Sequence, residues 1–249
     1  QTEQPELSNN PFETNPFNIA ANFNSCFQAF IFNNFSNGDW KDTSVVLQVK
    51  PPVDSYRAIG IRNSFGITSD PITGNLWMTD NGPDKFDEIN LVENKFNGGW
   101  AKIIGSINDE QLTPISPYGD FVYSNPEFSW ELPIGITALD FGEGQLFSEY
   151  NGWLFVADSN NGNIYFLKLN KERNGFDFQS EHLKDLVVNI DPENTYGNFH
   201  ESMSEIMFGT NFGLISDLKF GPDGSLYVVS LMEGTIYRIY PDFVFDTLK

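Results

Sequence analysis

The 249-residue chain is short of positive charge, cysteine and histidine. It has 14 Lys and Arg residues against 34 Asp and Glu residues, which gives a formal net charge of −20 at pH 7. A field of that sign repels nucleic acid and anionic membrane surfaces, so neither is expected as a partner. The single cysteine, Cys26, excludes an internal disulfide. His182 and His200 are the only histidines that the sequence offers as general bases.

Long apolar runs and helical periodicity are also missing. No stretch approaches the roughly 18 apolar residues of a membrane-spanning helix, so no membrane span is expected. No segment sustains the 3.6-residue period of an amphipathic helix. Gln1 is not followed by the charged and apolar stretches of a signal peptide, which leaves the removal of an upstream portion open. With 40% apolar and 15% aromatic residues, the chain has enough material for one sizeable β core.

Three similar segments follow one another, near residues 66–92, 135–169 and 213–240. Each has an apolar strand, a turn containing glycine, an aromatic-rich strand, a polar turn and a strand with isoleucine at its centre. Repeated antiparallel units of this kind predict β-propeller blades, with fourth strands expected in residues 121–132 and 204–208. Propellers usually close with four to eight blades. Three copies therefore predict additional irregular blades, an upstream portion, or association with further blades in a second copy of the chain.

Composition divides the chain into an arm and a propeller domain. Residues 1–42 are rich in Asn and Phe and contain three prolines, which predicts an irregular arm with one or two strands near residues 23–35. Residues 43–249 are assigned to the propeller. They begin with the β-branched strand TSVVLQVK at residues 43–50.

An Arg-Asn pair lies on a turn flanked by glycines, GIRNSFG, at residues 60–66. Glycine permits tight turns and close approach of the backbone, and polar residues at strand ends are where β folds carry their chemistry. The guanidinium of Arg62 suits carboxylates and developing oxyanions, and Asn63 offers a further polar contact. The alternative is structural: Arg62 pairs with a local carboxylate and Asn63 caps the turn.

A second polar cluster follows the strand LWMTDN. Asn81 is followed by Gly82 and Pro83, and the next strand opens with Asp87 and Glu88. Backbone carbonyls of a tight turn, amide oxygens and carboxylates are the ligands that calcium prefers. The alternative is a solvated acidic loop without a metal.

The run GIRNSFGI…DPITGNLWMTDNGPDKFDEINLV…NGGW resembles the glucose/sorbosone dehydrogenase family, and the resemblance continues through PIGITALDF, GWLFVADSNNGNIYFLKLN and GLISDLKFGPDGSLYVV. It covers residues 56–241 and corresponds to the C-terminal blades of the family's propeller. The resemblance implies an all-β, six-bladed propeller fold that three copies alone leave incomplete. It also implies oxidation of small-molecule aldose sugars with pyrroloquinoline quinone (PQQ) and calcium, in a secreted or extracytoplasmic location.

The resemblance also implies roles for individual residues. Arg62 and Asn63 match the family's contacts to the quinone, and Asn81 is a side-chain candidate for the calcium that also holds this cofactor. Gly82 and Pro83 match the turn whose carbonyls bind calcium. The DEIN segment matches as well, and its first two residues, Asp87 and Glu88, would support the metal or orient the loop.

Several family features are missing from the sequence. The histidine that acts as base lies in an earlier blade that is not recognisable here, so no catalytic residue is assigned. The turn at residues 158–162 lacks the family's lysine, and residues 214–216 lack its Arg-x-Arg strand. Gly98 replaces an aromatic residue in the run NGGW. Two interpretations therefore stay open: a PQQ-dependent sugar dehydrogenase, and a non-catalytic, calcium-stabilised propeller that serves as a cell-surface binding or structural module.

Overall fold

A computed structural model describes residues 56–107, 120–189 and 203–241. The regular structure in these ranges consists of β-strands and two short 3₁₀ helices, Ser148–Tyr150 and Glu181–Leu183. Within the same ranges no helix is long and apolar enough to span a membrane. The predicted arm at residues 1–42 and the predicted strand at residues 43–50 lie outside the described residues.

Most of the strands form three mainly antiparallel sheets, called blades 1, 2 and 3 in chain order. Blade 1 has the spatial order β11-β7-β4-β3-β2, blade 2 the order β12-β10-β9-β8, and blade 3 the order β13-β14-β15. The strands of blade 1 are β2 (Ile67–Ser69), β3 (Leu76–Asn81), β4 (Asp87–Leu91), β7 (Phe128–Trp130) and β11 (Val187–Val188). The strands of blade 2 are β8 (Ile136–Phe141), β9 (Leu154–Asp158), β10 (Ile164–Leu167) and β12 (Met207–Gly209). Those of blade 3 are β13 (Ile215–Phe220), β14 (Leu226–Ser230) and β15 (Thr235–Ile239).

Each repeat in the sequence thus supplies the first three strands of one blade. The fourth strands of blades 1 and 2, β7 and β12, come from or overlap the two segments expected to supply them. Blade 1 gains a fifth strand, β11, which pairs with β7 in parallel. A further small parallel sheet has the order β1-β5-β6, with strands Ala58–Ile59, Phe96–Asn97 and Val122–Tyr123.

Adjacent blades pack face to face through large apolar side chains. Trp130 of blade 1 lies 5.2 Å from Tyr165 of blade 2, measured between ring centroids. Phe155 of blade 2 lies 5.0 Å from Phe220 of blade 3, in an edge-to-face arrangement. Because both faces of a middle blade are buried, its strands are nearly continuously apolar, as in β9, where all five residues are buried.

One backbone hydrogen bond recurs in all three blades and fixes their common register. The second strand of each blade ends beside the segment that leads into its first strand. Asn81 N–H donates to the carbonyl of Asn63 at 3.2 Å, Ser159 N–H to that of Gly135 at 2.8 Å, and Leu231 N–H to that of Leu214 at 2.8 Å. These leading segments and second-strand turns therefore lie at the same end of the blades, which we call the mouth.

Candidate cofactor and metal site

The Arg62 turn and the Asn81 turn are joined directly at the mouth of blade 1. The Arg62 guanidinium donates through Nη1 to the backbone carbonyl of Asn81 at 2.8 Å. The backbone N–H groups of Arg62 and Asn63 both donate to the carboxylate of Asp80, at 2.9 and 2.6 Å. The two polar clusters of the sequence thus meet at one place, although 18 residues separate Arg62 from Asp80 along the chain.

Asp80 holds the Arg62 turn against the end of strand β3. The residue is 2% exposed, and its two carboxylate oxygens hold consecutive N–H groups of the turn. Burial raises the pKa of Asp80 above its usual value, and the N–H bonds from Arg62 and Asn63 oppose that rise. The sequence does not single out Asp80 for this role, although its place at the end of a strand, next to Asn81, is a signal for it.

Asp87 orients the Gly82 turn and connects two blades. Its Oδ1 accepts the N–H of Gly82 at 3.0 Å, and its Oδ2 accepts the N–H of Gly135 in blade 2 at 2.6 Å. The residue is fully buried, which raises its pKa despite these bonds. The resemblance implies that Asp87 either supports the metal or orients the loop. Its contacts with the two N–H groups are of the kind that orients the loop.

Glu88 lies across the strand pair from Asp80, because these two residues are partners in the β3–β4 register. Its Oε1 accepts the N–H of Gly105 at 2.6 Å, and its Oε2 is 3.4 Å from the Nδ2 of Asn90. Burial, with a smaller contribution from the negative charges of Asp80 and Asp87, raises the pKa of Glu88 to about 7. Glu88 thus shares its face of the sheet with Asp80.

The side-chain carbonyl of Asn81 is buried and has no hydrogen-bond partner. A buried polar atom without a partner is costly, so such an atom in a native site signals a missing ligand, ion or water. Asn81 directly precedes Gly82 and Pro83, whose backbone carbonyls are the predicted calcium ligands. Nearby acids add negative charge, and no Lys or Arg lies within 4 Å of Asp80, Asp87 or Glu88 among the described ion pairs. This donor set fits a cation bound chiefly by neutral oxygens.

The indole ring of Trp100, the last residue of the run NGGW, packs against Arg62, a contact that the sequence did not predict. Its ring centroid lies 5.3 Å from the guanidinium carbon, and 39% of the residue is exposed. Gly98, the departure from the family's aromatic residue, is explained locally. A Cβ there would lie 2.7 Å from the carbonyl oxygen of Gly60, so the close approach of two backbone segments requires glycine.

The second and third blades present no cation at the mouth positions where the family has them. In blade 2 the turn is organised by Asp158, whose Oδ1 accepts the N–H of Asn161 at 2.6 Å and whose Oδ2 accepts the hydroxyl of Tyr165 at 2.7 Å. His182 lies exposed on a 3₁₀ helix, where its backbone N–H donates to Ser180 Oγ. His200 lies outside the described residues. Within the described ranges, no group of three or more His, Cys, Asp and Glu side chains is arranged to hold a metal.

The three face-to-face antiparallel sheets define a β-propeller. A solved glucose dehydrogenase has the same fold: it superposes with a TM-score of 0.52 at 20% sequence identity, over 74% of this chain and 46% of that one. The predicted fold class is thereby confirmed.

The family model for glucose/sorbosone dehydrogenases matches residues 47–238, and the chain belongs to that family. The Synechocystis protein slr1608 is 27% identical over 183 residues, which are 72% of this chain and 36% of that protein. Aldose sugar dehydrogenase YliI of Escherichia coli is 25% identical over 185 residues, which are 73% of this chain and 43% of that enzyme. The chain therefore spans less than half the length of these relatives.

Proposed function

We propose that this chain forms the cofactor-facing blades of an extracytoplasmic aldose sugar dehydrogenase that uses PQQ and calcium. Membership of the family supports the reaction class, and the similarity to an aldose sugar dehydrogenase supports a small-molecule sugar as substrate. The observation that carries the proposal is the junction of Arg62 with Asn81, beside a buried amide oxygen that lacks a partner. It brings an anion-binding group and a cation-binding group to the same mouth.

Calcium would be held by Asn81 Oδ1 and by the backbone carbonyls of Gly82 and Pro83. Neutral oxygens from a tight turn are suitable calcium ligands. Asp87 fixes the turn through the N–H of Gly82, and Glu88 is the next, also buried, residue of the same strand. Loss of the Asp87 carboxylate would therefore weaken calcium binding by releasing the turn.

PQQ would lie against the guanidinium of Arg62. Arginine has five N–H donors, and only one of them is used by the Asn81 carbonyl in this structure. Asp80 holds the backbone on which Arg62 is carried, and Trp100 limits the guanidinium on one side. When bound, PQQ supplies the two-electron acceptor, and calcium supplies a positive charge that polarises it.

A second candidate is a non-catalytic, calcium-stabilised propeller that serves as a cell-surface binding or structural module. PQQ is a tricarboxylate, and besides Arg62 the described mouth contains four buried carboxylates, those of Asp80, Asp87, Glu88 and Asp158. Each missing charge-assisted hydrogen bond weakens cofactor binding by about 1.5–3 kcal/mol. This balance of charge favours calcium over an anionic cofactor.

A calcium titration tests the property that both candidate functions share, which is calcium binding. We expect calcium to raise the melting temperature of the EDTA-treated chain, because a ligand at 100 times its Kd stabilises the folded state by about 2.7 kcal/mol. Asn81→Ala should abolish the calcium-dependent rise. Asn160→Ala is the matched control at the mouth of blade 2, and it should retain the rise.

A PQQ titration then decides between the two candidates. The calcium-loaded chain receives PQQ, an aldose and a dye acceptor, and quinone absorbance and dye reduction are followed. The dehydrogenase proposal expects both signals, with PQQ affinity reduced about 10- to 100-fold by Arg62→Gln, the loss of one or more charge-assisted bonds. A calcium response without PQQ binding would exclude the dehydrogenase and retain the calcium-stabilised module. The absence of both responses would refute both candidates.

A further inference from the structure

The outer face of blade 3 repeats a surface that is buried in the other two blades. The common register at the mouth makes Thr79, Ala157 and Val229 equivalent, since each lies two residues before the recurring hydrogen bond. Their partners on the third strand are Ile89, Ile164 and Ile236. These three isoleucines therefore occupy the same place in successive blades.

Their surroundings differ completely. Ile89 and Ile164 are each 0% exposed, in the cores that join blade 1 to blade 2 and blade 2 to blade 3. Ile236 is 68% exposed. In blades 1 and 2 this face packs against the following blade. In blade 3 the same face is exposed, because no following blade exists among the described residues.

The glycines two positions before Ile164 and Ile236 support the same conclusion. In blade 2, a Cβ on Gly162 would overlap the backbone of Gly213, so the turn lies directly against the segment leading into blade 3. Gly234 holds the equivalent position in blade 3 and has the same left-handed backbone, with φ of 62° against 67°. Nothing lies within 4 Å of a Cβ placed there. The turn of blade 3 therefore has the backbone conformation that packs against the next blade in blade 2, but no described residue packs against it here.

Blade 1 has the complementary surface, the face that packs against a preceding blade in blades 2 and 3. Leu139 and Leu218 are equivalent first-strand residues that contact the preceding blade, and they are 4% and 1% exposed. Ile67 is their equivalent in blade 1 and is 62% exposed, beside Phe65 at 63%. The small parallel sheet packs on Met78, at the neighbouring strand of this face, and leaves the first strand open.

We propose that two copies of this chain associate head to tail, with the Ile236 face of each copy packed against the Ile67 side of the other. One copy carries one surface of each kind, so two copies satisfy all four surfaces. Heterologous contacts of this type form a ring when the rotation closes. Two copies of three blades give six, which lies within the four to eight blades of closed propellers.

The second copy would also complete the mouth. Asp87 of blade 1 touches the segment leading into blade 2, and Gly162 touches the segment leading into blade 3. Gly234 is their equivalent, so it would lie beside the corresponding segment of the partner, which carries Arg62. Glu233 precedes Gly234 and would bring a carboxylate towards that guanidinium, a complementary charge at the contact.

The mass of the full chain in solution tests the proposal. We expect light scattering to give about 56 kDa, twice the 28.2 kDa of one chain. Ile236→Asp and Ile67→Asp should each give a chain of monomer mass, because both place a charge in a buried apolar contact. Ile72→Asp is the matched control: Ile72 is also 68% exposed, lies on neither surface, and its replacement should leave the mass unchanged.

Mixing the two variants tests the head-to-tail arrangement. A mixed pair retains one intact contact, between Ile236 of one copy and Ile67 of the other, so the mixture should recover mass above that of either variant alone. A wild-type chain of 28 kDa at every concentration would overturn the proposal and leave the face to another segment or partner. A dimer that Ile236→Asp disrupts and Ile67→Asp does not would show a symmetric contact instead, and would also overturn it.

Discussion

Buried carboxylates occur at both ends of the blades, but their partners differ. At the mouth, Asp80, Asp87 and Asp158 accept N–H or hydroxyl bonds, and burial raises the pKa of each. At the opposite end, Asp70 follows the first strand of blade 1 and pairs with Arg173 through two bonds of 2.6 and 2.8 Å. Burial raises the pKa of Asp70, but the bonds led by that from Arg173 outweigh it and leave the pKa below its usual value.

The two ends of the blades differ in how buried negative charge is balanced. Where Arg173 neutralises Asp70, the charges are satisfied within the protein. At the mouth, Asp80, Asp87 and Glu88 have no Lys or Arg among the ion pairs of the described residues, which makes their surroundings suitable for a cation. The same end also carries the unpartnered oxygen of Asn81.

The largest expected effect is at the opposite end. Asp70→Asn should lower the free energy of unfolding by about 3 kcal/mol, because it leaves the mostly buried guanidinium of Arg173 without its counter-charge. Urea denaturation at constant protein concentration measures this change. Asp177→Asn, which breaks the exposed pair with Lys168, is the control and should have little effect. Equal losses in the two variants would contradict the distinction between buried and exposed pairs.

A somewhat smaller loss is expected at the mouth. Asp87→Ala leaves the N–H groups of Gly82 and Gly135 without their acceptor, which should cost about 2 kcal/mol. Asp87→Asn retains one accepting oxygen and should cost less. The same urea titration measures both variants. If Asn proved as damaging as Ala, the charge of Asp87 rather than its hydrogen bonds would be what stabilises the turn.

A third expected effect is a dependence of stability on pH. Burial raises the pKa of Glu127, whose Oε2 accepts the N–H of Leu91, to about 8. Between the ordinary glutamate value of about 4.5 and this value, the folded state binds more protons than the unfolded chain. The contribution of Glu127 to the free energy of unfolding therefore falls as the pH rises through that interval. The lowered pKa of Asp70 gives the opposite sign, with stability lost as the pH falls below about 3.8.

Melting temperatures from pH 3 to pH 9, in buffers of equal ionic strength, separate these two contributions. Glu127→Gln should make the profile less steep above pH 4.5, where the raised pKa of Glu88 still contributes, and should leave the acid side unchanged. Asp70→Asn should do the reverse. A Glu127→Gln profile identical to that of the wild type above pH 4.5 would show that Glu127 is ionised throughout.

The sequence predicted the repeats and the two polar clusters because both depend on local patterns. Strand periodicity, Asn-Gly and Asp-Gly turns and the GIRNSFG run can be read within short windows. The pattern did not reveal that Asp80 holds the Arg62 turn, because that contact joins residues from different strands. For the same reason Trp100 was not associated with Arg62, and Gly98 was taken only as a departure from the family.

All of the predicted roles in binding a cofactor or metal stay predictions: those of Arg62, Asn63, Asn81, Gly82, Pro83, Asp87 and Glu88. What the structure adds is their arrangement: Asp80 holds Arg62 and Asn63 together, and Asp87 fixes Gly82. Proximity between distant segments depends on how blades pack, and single-chain periodicity does not encode it. The choice between a solvated acidic loop and a cation site likewise depends on burial.

The amino-acid sequence by itself determined that this is an acidic, all-β chain of repeated strands with a family motif around Arg62. Those properties follow from composition and from side-chain alternation within single strands. Only the tertiary structure decided that Asn81 keeps an unpartnered buried oxygen, that Asp87 joins two blades, and that Ile236 is open where Ile89 is buried. The physical reason is that desolvation and face-to-face packing are set by neighbours far apart in the chain, so identical local patterns end in different environments.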